Sequence, residues 1–217
     1  MFTIDPLRWS AIESLPLPTG VGNLNVGLCA VARIVYASTG RVSDLADADC
    51  IAPTIRAYMT ALNDGLPREL RQRLGTLELA HAVLAADTSP EAELRRAYLC
   101  ADTAVRVFAV GALRAADLPN EAGKLSALAP IIDQASARNA VAAAFAAGDA
   151  ADAARNAASA AAYAAANAAA YVTRYAAAAY VARYTARYAA NAASAAAAAN
   201  AEAWEPAFEL LTALLVA

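Results

Sequence analysis

The chain carries a single lysine, Lys124, against sixteen arginines, a single histidine, His81, and only three cysteines. Between Ala140 and Ala203 it has no lysine, no proline and one glycine. Each scarcity excludes something. One histidine with no neighbour at ligand spacing leaves no metal site and no histidine-based nucleophile set. Cys29, Cys50 and Cys100 are widely spaced, odd in number and form no CxxC. That pattern fits reduced, buried thiols in a cytoplasmic protein, not a disulfide framework. No GxSxG, HExxH, phosphate loop or GxGxxG occurs, and Gly20-Val21-Gly22 lacks the rest of a phosphate loop. The net charge of −3 and pI near 5.2 lack the basic excess of a nucleic-acid-binding domain. Long apolar runs are missing too. One long charge-free stretch, Asn156 to Thr173, is alanine, asparagine, serine, tyrosine, valine and threonine, too weakly hydrophobic to enter a bilayer. The opening MFTIDPLRWSAIES lacks the basic region and apolar run of a signal peptide. The expectation is a cytoplasmic protein with no catalytic residues, no cofactor, no metal and no membrane or nucleic-acid partner. The arginine bias reads as a GC-rich genome.

What is present is alanine: 38 of the 64 residues from Ala140 to Ala203. Alanine is the strongest helix former because it loses no side-chain entropy and hides no polar group. The fold class expected is all-α: a helical N-terminal domain over residues 1–147, an alanine-rich helix or helix pair over 148–203, and a C-terminal amphipathic helix over 204–217, in a closely packed bundle. In the first region Pro16, Pro18, Gly20 and Gly22 mark an irregular opening. Helices are expected over Leu24–Tyr36, Pro53–Asn63, Leu66–Leu74, Thr76–Ala86, from Ser89 to about Ala116, and over Leu125–Ala147. Ser89-Pro90 is a start signal, and Asn63-Asp64-Gly65 a stop. No segment alternates with period two.

Plotted at 100° per residue, Asp152, Asn156, Ser159, Tyr163, Asn167 and Arg174 share one side of the alanine region. Ala154, Ala158, Ala161, Ala165 and Val172 lie opposite, as a bare packing face. The stripe rotates after Tyr175, so either the helix is irregular near Ala176–Ala179 or two helices meet there. An unbroken helix from Asp149 to Glu205 would be about 85 Å long, whereas a compact domain of this size is about 35 Å across. The alanine face is therefore expected to be covered, by itself, by the N-terminal helices or by a second subunit. Glu205-Pro206 starts a last helix whose Phe208, Leu211, Leu214 and Leu215 form an apolar stripe that docks on a core.

The sharpest motif is Tyr171-Val172-Thr173-Arg174-Tyr175 followed by Tyr180-Val181-Ala182-Arg183-Tyr184-Thr185-Ala186-Arg187-Tyr188: five tyrosines, three arginines and no acid. Arginine interleaved with aromatics can grip phosphate and stack a base, or dock on an acidic partner. The plainer reading is that the tyrosines fill gaps between helices that alanine cannot, with the arginines solvated. Asp102 and Arg106, spaced i, i+4, read as an intrahelical ion pair. His81 reads as a core or interface histidine, and Cys100 as a small core residue.

Several segments together carry a resemblance: Cys50-Ile51-Ala52-Pro53, Leu62-Asn63-Asp64-Gly65-Leu66-Pro67, Arg73-Leu74-Gly75-Thr76, Arg95-Arg96-Ala97-Tyr98, Ala101-Asp102 and Val105-Arg106-Val107-Phe108, with the alanine region after them. The chain resembles a group of alanine-rich helical proteins of actinobacteria and their phages. Tyrosine stands here where the group's repeats would have tryptophan. The resemblance implies a setting among mobile elements, defence or counter-defence, and transfers no catalytic residue. The expected function is a non-enzymatic helical interaction protein that self-associates or binds a protein partner. The alternative is a protein that sequesters a small anionic ligand or nucleotide, with Arg174, Arg183 and Arg187 holding its charge.

Overall fold

A computed structural model of the chain describes residues 2–42, 50–152, 157–174, 178–200, 202 and 204–217. The protein is all-α, with one β-hairpin of two-residue strands among the described residues. Asp5 accepts from the Leu7 and Arg8 amides, and Pro6 follows at the first turn, so α1 spans Pro6–Ile12. The expected helix over Leu24–Tyr36 starts late. Gly22–Asn23 (β1) pairs antiparallel with Gly27–Leu28 (β2), and α2 runs Ala30–Thr39. The cause is local. The Asn23 side chain accepts from the Asn25 and Val26 amides and closes a turn. Gly27 sits at φ 110°, where a Cβ would collide with the Pro16 carbonyl.

Helices α3 (Pro53–Gly65), α4 (Arg68–Arg71) and α5 (Leu77–Ala85) follow, with a 3₁₀ turn at Gln72–Gly75. The long helix opened by Ser89-Pro90 is continuous in three parts. These are α6 (Pro90–Thr103), a π-helical stretch (Ala104–Ala109) and α7 (Val110–Ala115). The π stretch leaves no mark in the sequence pattern. The helix expected over Leu125–Ala147 is corrected. Leu125 lies in a separate helix, α8 (Pro119–Ser126), and α9 runs Gln134–Asp152. Pro130 interrupts the pattern, and the Asp133 carboxylate accepts from the Ser136 amide to open α9.

The alanine region forms two helices, α10 (Ala157–Arg174) and α11 (Ala178–Ala199). Their 18 and 22 residues give about 27 and 33 Å, which resolves the length problem. α10 lies between α9 and α11 and runs antiparallel to both: Phe145 meets Tyr163, Ser159 meets Asp152, and Tyr171 meets Tyr184 and Tyr188. α11 rests on α3 and α6, and α10 on α6 and the π stretch. Close approach has visible devices. A Cβ on Gly65 would collide with the Ser194 hydroxyl, and one on Gly148 would press the Tyr163 ring at 3.0 Å. Helix α12 (Trp204–Val216) buries Leu210, Leu211 and Leu214. A single hydrophobic cluster runs from Ile4 to Leu214 and includes residues of α1, α9, α10, α11 and α12.

Candidate functional site

The packing face named from the sequence is enclosed. Ala158, Ala161, Ala165 and Val172 are at most 2% exposed, as are Ala162, Ala166 and Ala169. Ala154 lies outside the described residues. The cover comes from this chain's own helices, so among the described residues the alanine surface is met without a second subunit.

Of the Tyr/Arg motif, the structure brings three rings together. Tyr171 and Tyr184 stack with centroids 5.1 Å apart and planes 6° apart, and Tyr188 lies 5.4 Å from Tyr171 at 33°. All three are half-buried in the groove between α10 and α11, and Arg187 beside them is exposed. Tyr175 lies outside the described residues, as do the side chains of Arg174, Tyr180 and Arg183. The aromatic surface continues along the layer. Tyr163, one turn of helix from Asn167, meets the 36%-exposed Phe145 at 6.1 Å. The Tyr163 hydroxyl donates to Asp149 at 2.6 Å, which holds the phenol up to about 12.

The strongest internal electrostatics are structural. Arg96 and Glu93 are buried together at 2.9 Å. The Glu93 carboxylate accepts from the Thr54 amide and hydroxyl, at 2.8 and 2.7 Å, and Arg96 Nε donates to the Leu214 carbonyl. This clasp ties α3, α6 and α12 together. Arg33 makes a second one, donating to the carbonyls of Glu13, Leu15 and Gly75. Burial lowers the Arg33 pKa from its ordinary value. Sequence reading passed over both arginines, because a lone arginine in a helix looks the same whether solvated or enclosed.

Burial pushes the Cys29 and Cys100 thiols up, away from the reactive thiolate. His81 is exposed, which corrects the core half of the expected core-or-interface position. Among the described residues no group of histidine, cysteine, aspartate or glutamate could hold a metal ion, and no helix is long and apolar enough to cross a membrane.

A feature the sequence did not announce lies at the π stretch. There a cleft of about 300 Å³ opens between Arg106, Gly111 and Arg114 on one side and Asn200, Glu202 and Pro206 on the other. The expected Asp102–Arg106 ion pair is present at 3.2 Å, and Asp102 also accepts from the Ile131 amide at 2.9 Å. The signal that could have pointed there is Gly111 itself, a helix-interior glycine.

No family model matches this chain, and neither does any curated protein or solved structure.

Proposed function

We propose that this is a non-enzymatic helical interaction protein that binds an acidic protein partner through the outward Tyr/Arg face of α10 and α11. The observation that carries the reading is the half-buried cluster of Tyr171, Tyr184 and Tyr188 with Arg187 exposed beside it. Tyrosine and arginine are the residues that concentrate binding energy at protein interfaces, through large rigid contact area and directed donors. The motif contains no acid of its own, so the complementary surface is acidic. Because the alanine face is already covered within the chain, self-association is not needed to bury it. A nucleotide is the weaker occupant, since the best-placed ring for stacking a base, Tyr171, already stacks on Tyr184. The resemblance to alanine-rich proteins of actinobacteria and their phages extends the proposal to counter-defence, with a host defence protein as the partner.

A photo-crosslinking amino acid at position 184, expressed in the native host, tests this. One acidic protein is expected in the adduct, and it should disappear when Arg187→Glu is added. The same adduct from a probe at Leu7, which is 83% exposed on α1, would contradict the reading, as would no adduct at position 184.

A further inference from the structure

The cleft at the π stretch is separate from the tyrosine face and rests on different observations. Glycine is a far poorer helix former than alanine, so a glycine inside a helix draws attention. Gly65 and Gly148 have one: their bare faces admit Ser194 and Tyr163. Gly111 has no such neighbour. A Cβ built on it meets nothing within 4 Å, and its φ is not in the left-handed region. Gly123 in α8 is equally open, and of the two it is Gly111 that lines the cleft. The six-residue π-helical stretch immediately before it resets the phase of the long helix, placing Arg106 and Val107 on the cleft wall with Val110 and Arg114. Such insertions recur at binding sites.

The lining has the composition of a ligand pocket, apolar walls with a few placed polar groups, at the small end of the usual 300–1,000 Å³ or so. Arg106 is fixed from behind: both Asp102 oxygens take Nη1, at 3.2 and 3.4 Å. Its Nε is enclosed without a hydrogen-bond partner and out of a ligand's reach, so Arg106 meets the cleft through the rest of its 29%-exposed side chain. Arg114 is exposed at the cleft's edge. The Asn200 side-chain oxygen accepts from the Glu202 amide at 3.1 Å, which leaves its amino group as a further donor. Arg106 and Arg114 are balanced by Asp102 and Glu202, so the site has donors to spare but no net positive charge. Glu202 would repel a polyphosphate.

We propose that this cleft binds a small organic monocarboxylate. Arg114 and Arg106 hold the carboxylate, and an apolar body lies along Val107, Val110 and Pro206. Arginine suits a planar carboxylate because its donors match the spacing of the two oxygens.

The test uses isothermal titration calorimetry on the full chain. The probes are hexanoate, benzoate, phenylacetate and indoleacetate, with phenylacetamide and inorganic phosphate as comparisons. At least one carboxylate is expected to bind, and phenylacetamide and phosphate are not. Gly111→Leu fills the cleft and should weaken that binding by at least about tenfold. Its melting temperature should not fall, because leucine is the better helix former. Arg114→Gln alters only an exposed side chain, so it keeps the test decisive if Gly111→Leu misfolds. It should weaken binding similarly and flatten the dependence on salt. Failure of all four carboxylates to bind would overturn the proposal. So would undiminished binding in both variants, equal binding of phenylacetamide, or binding of phosphate alone.

Discussion

The part of the molecule before Gln134 fills its interior with Tyr58, Met59, Leu62, Phe108 and Leu113, whereas α10 and α11 fill theirs with Ala161, Ala165, Ala169, Ala189 and Ala193. Both interiors belong to one hydrophobic cluster. They reach the same burial by different routes. In the first, large side chains occupy the volume between helices, and stability follows how completely they fill it. In the second, little side-chain volume exists, so the helix backbones must come close, toward the 8 Å end of the usual range. The two interiors should therefore fail in opposite ways: the first when a side chain is shortened, the second when one is lengthened.

The largest expected effect breaks the first interior at its charged clasp. Arg96→Met leaves the Glu93 carboxylate buried beside Thr54 without its cation, and strips the Leu214 carbonyl of its donor. A loss of about 3–5 kcal/mol is expected in urea unfolding, and α12 should fray first in amide hydrogen exchange. Phe108→Ala, at 2% exposure, should cost a similar amount, about 3–5 kcal/mol, through the cavity it leaves. In the alanine interior the sign of the size change reverses. Ala165→Leu, or Ala161→Leu, adds volume where none is free and should cost about 1–3 kcal/mol, read as a lower urea midpoint with unchanged mass in solution. If both are neutral, close packing of α10 is wrong.

The smallest effect probes the outer side of the same layer. The bond from Tyr163 to Asp149 holds the phenol up to about 12, against its ordinary value of 10.0. The folded state thus binds this proton more tightly than the unfolded state. The contribution to stability is complete below the ordinary value and fades as pH rises toward the folded one. Asp149→Ala should return the Tyr163 ionisation toward its ordinary value in an ultraviolet titration. No movement would remove the bond from the description.

Much of the architecture was legible because its signals are local. Ser89-Pro90 caps a helix through its own hydroxyl, which accepts from the Ala92 amide. Pro53 starts α3, and Gly65 ends it. Alanine content alone made α10 and α11 helical. The amphipathic stripe of α12 correctly docked Leu211 and Leu214. Features that depend on what lies across the fold were not legible. The Gly22–Leu28 hairpin depends on Pro16 passing over Gly27. The buried state of Arg33 and Arg96 depends on carbonyls 18 and 118 positions away. The π stretch has no composition of its own, so the cleft beside it could not be read from spacing. For the tyrosine motif the sequence left open which rings would meet, and the structure brings Tyr171, Tyr184 and Tyr188 together.

The direct test of internal cover is the thermal midpoint of the alanine helices, followed by far-ultraviolet circular dichroism over a hundred-fold dilution, about the range over which an oligomer's midpoint moves by mass action. Helices covered within one chain should melt at the same temperature throughout. A midpoint that falls on dilution would show that the alanine face is covered by a second copy, and would contradict the packing described above.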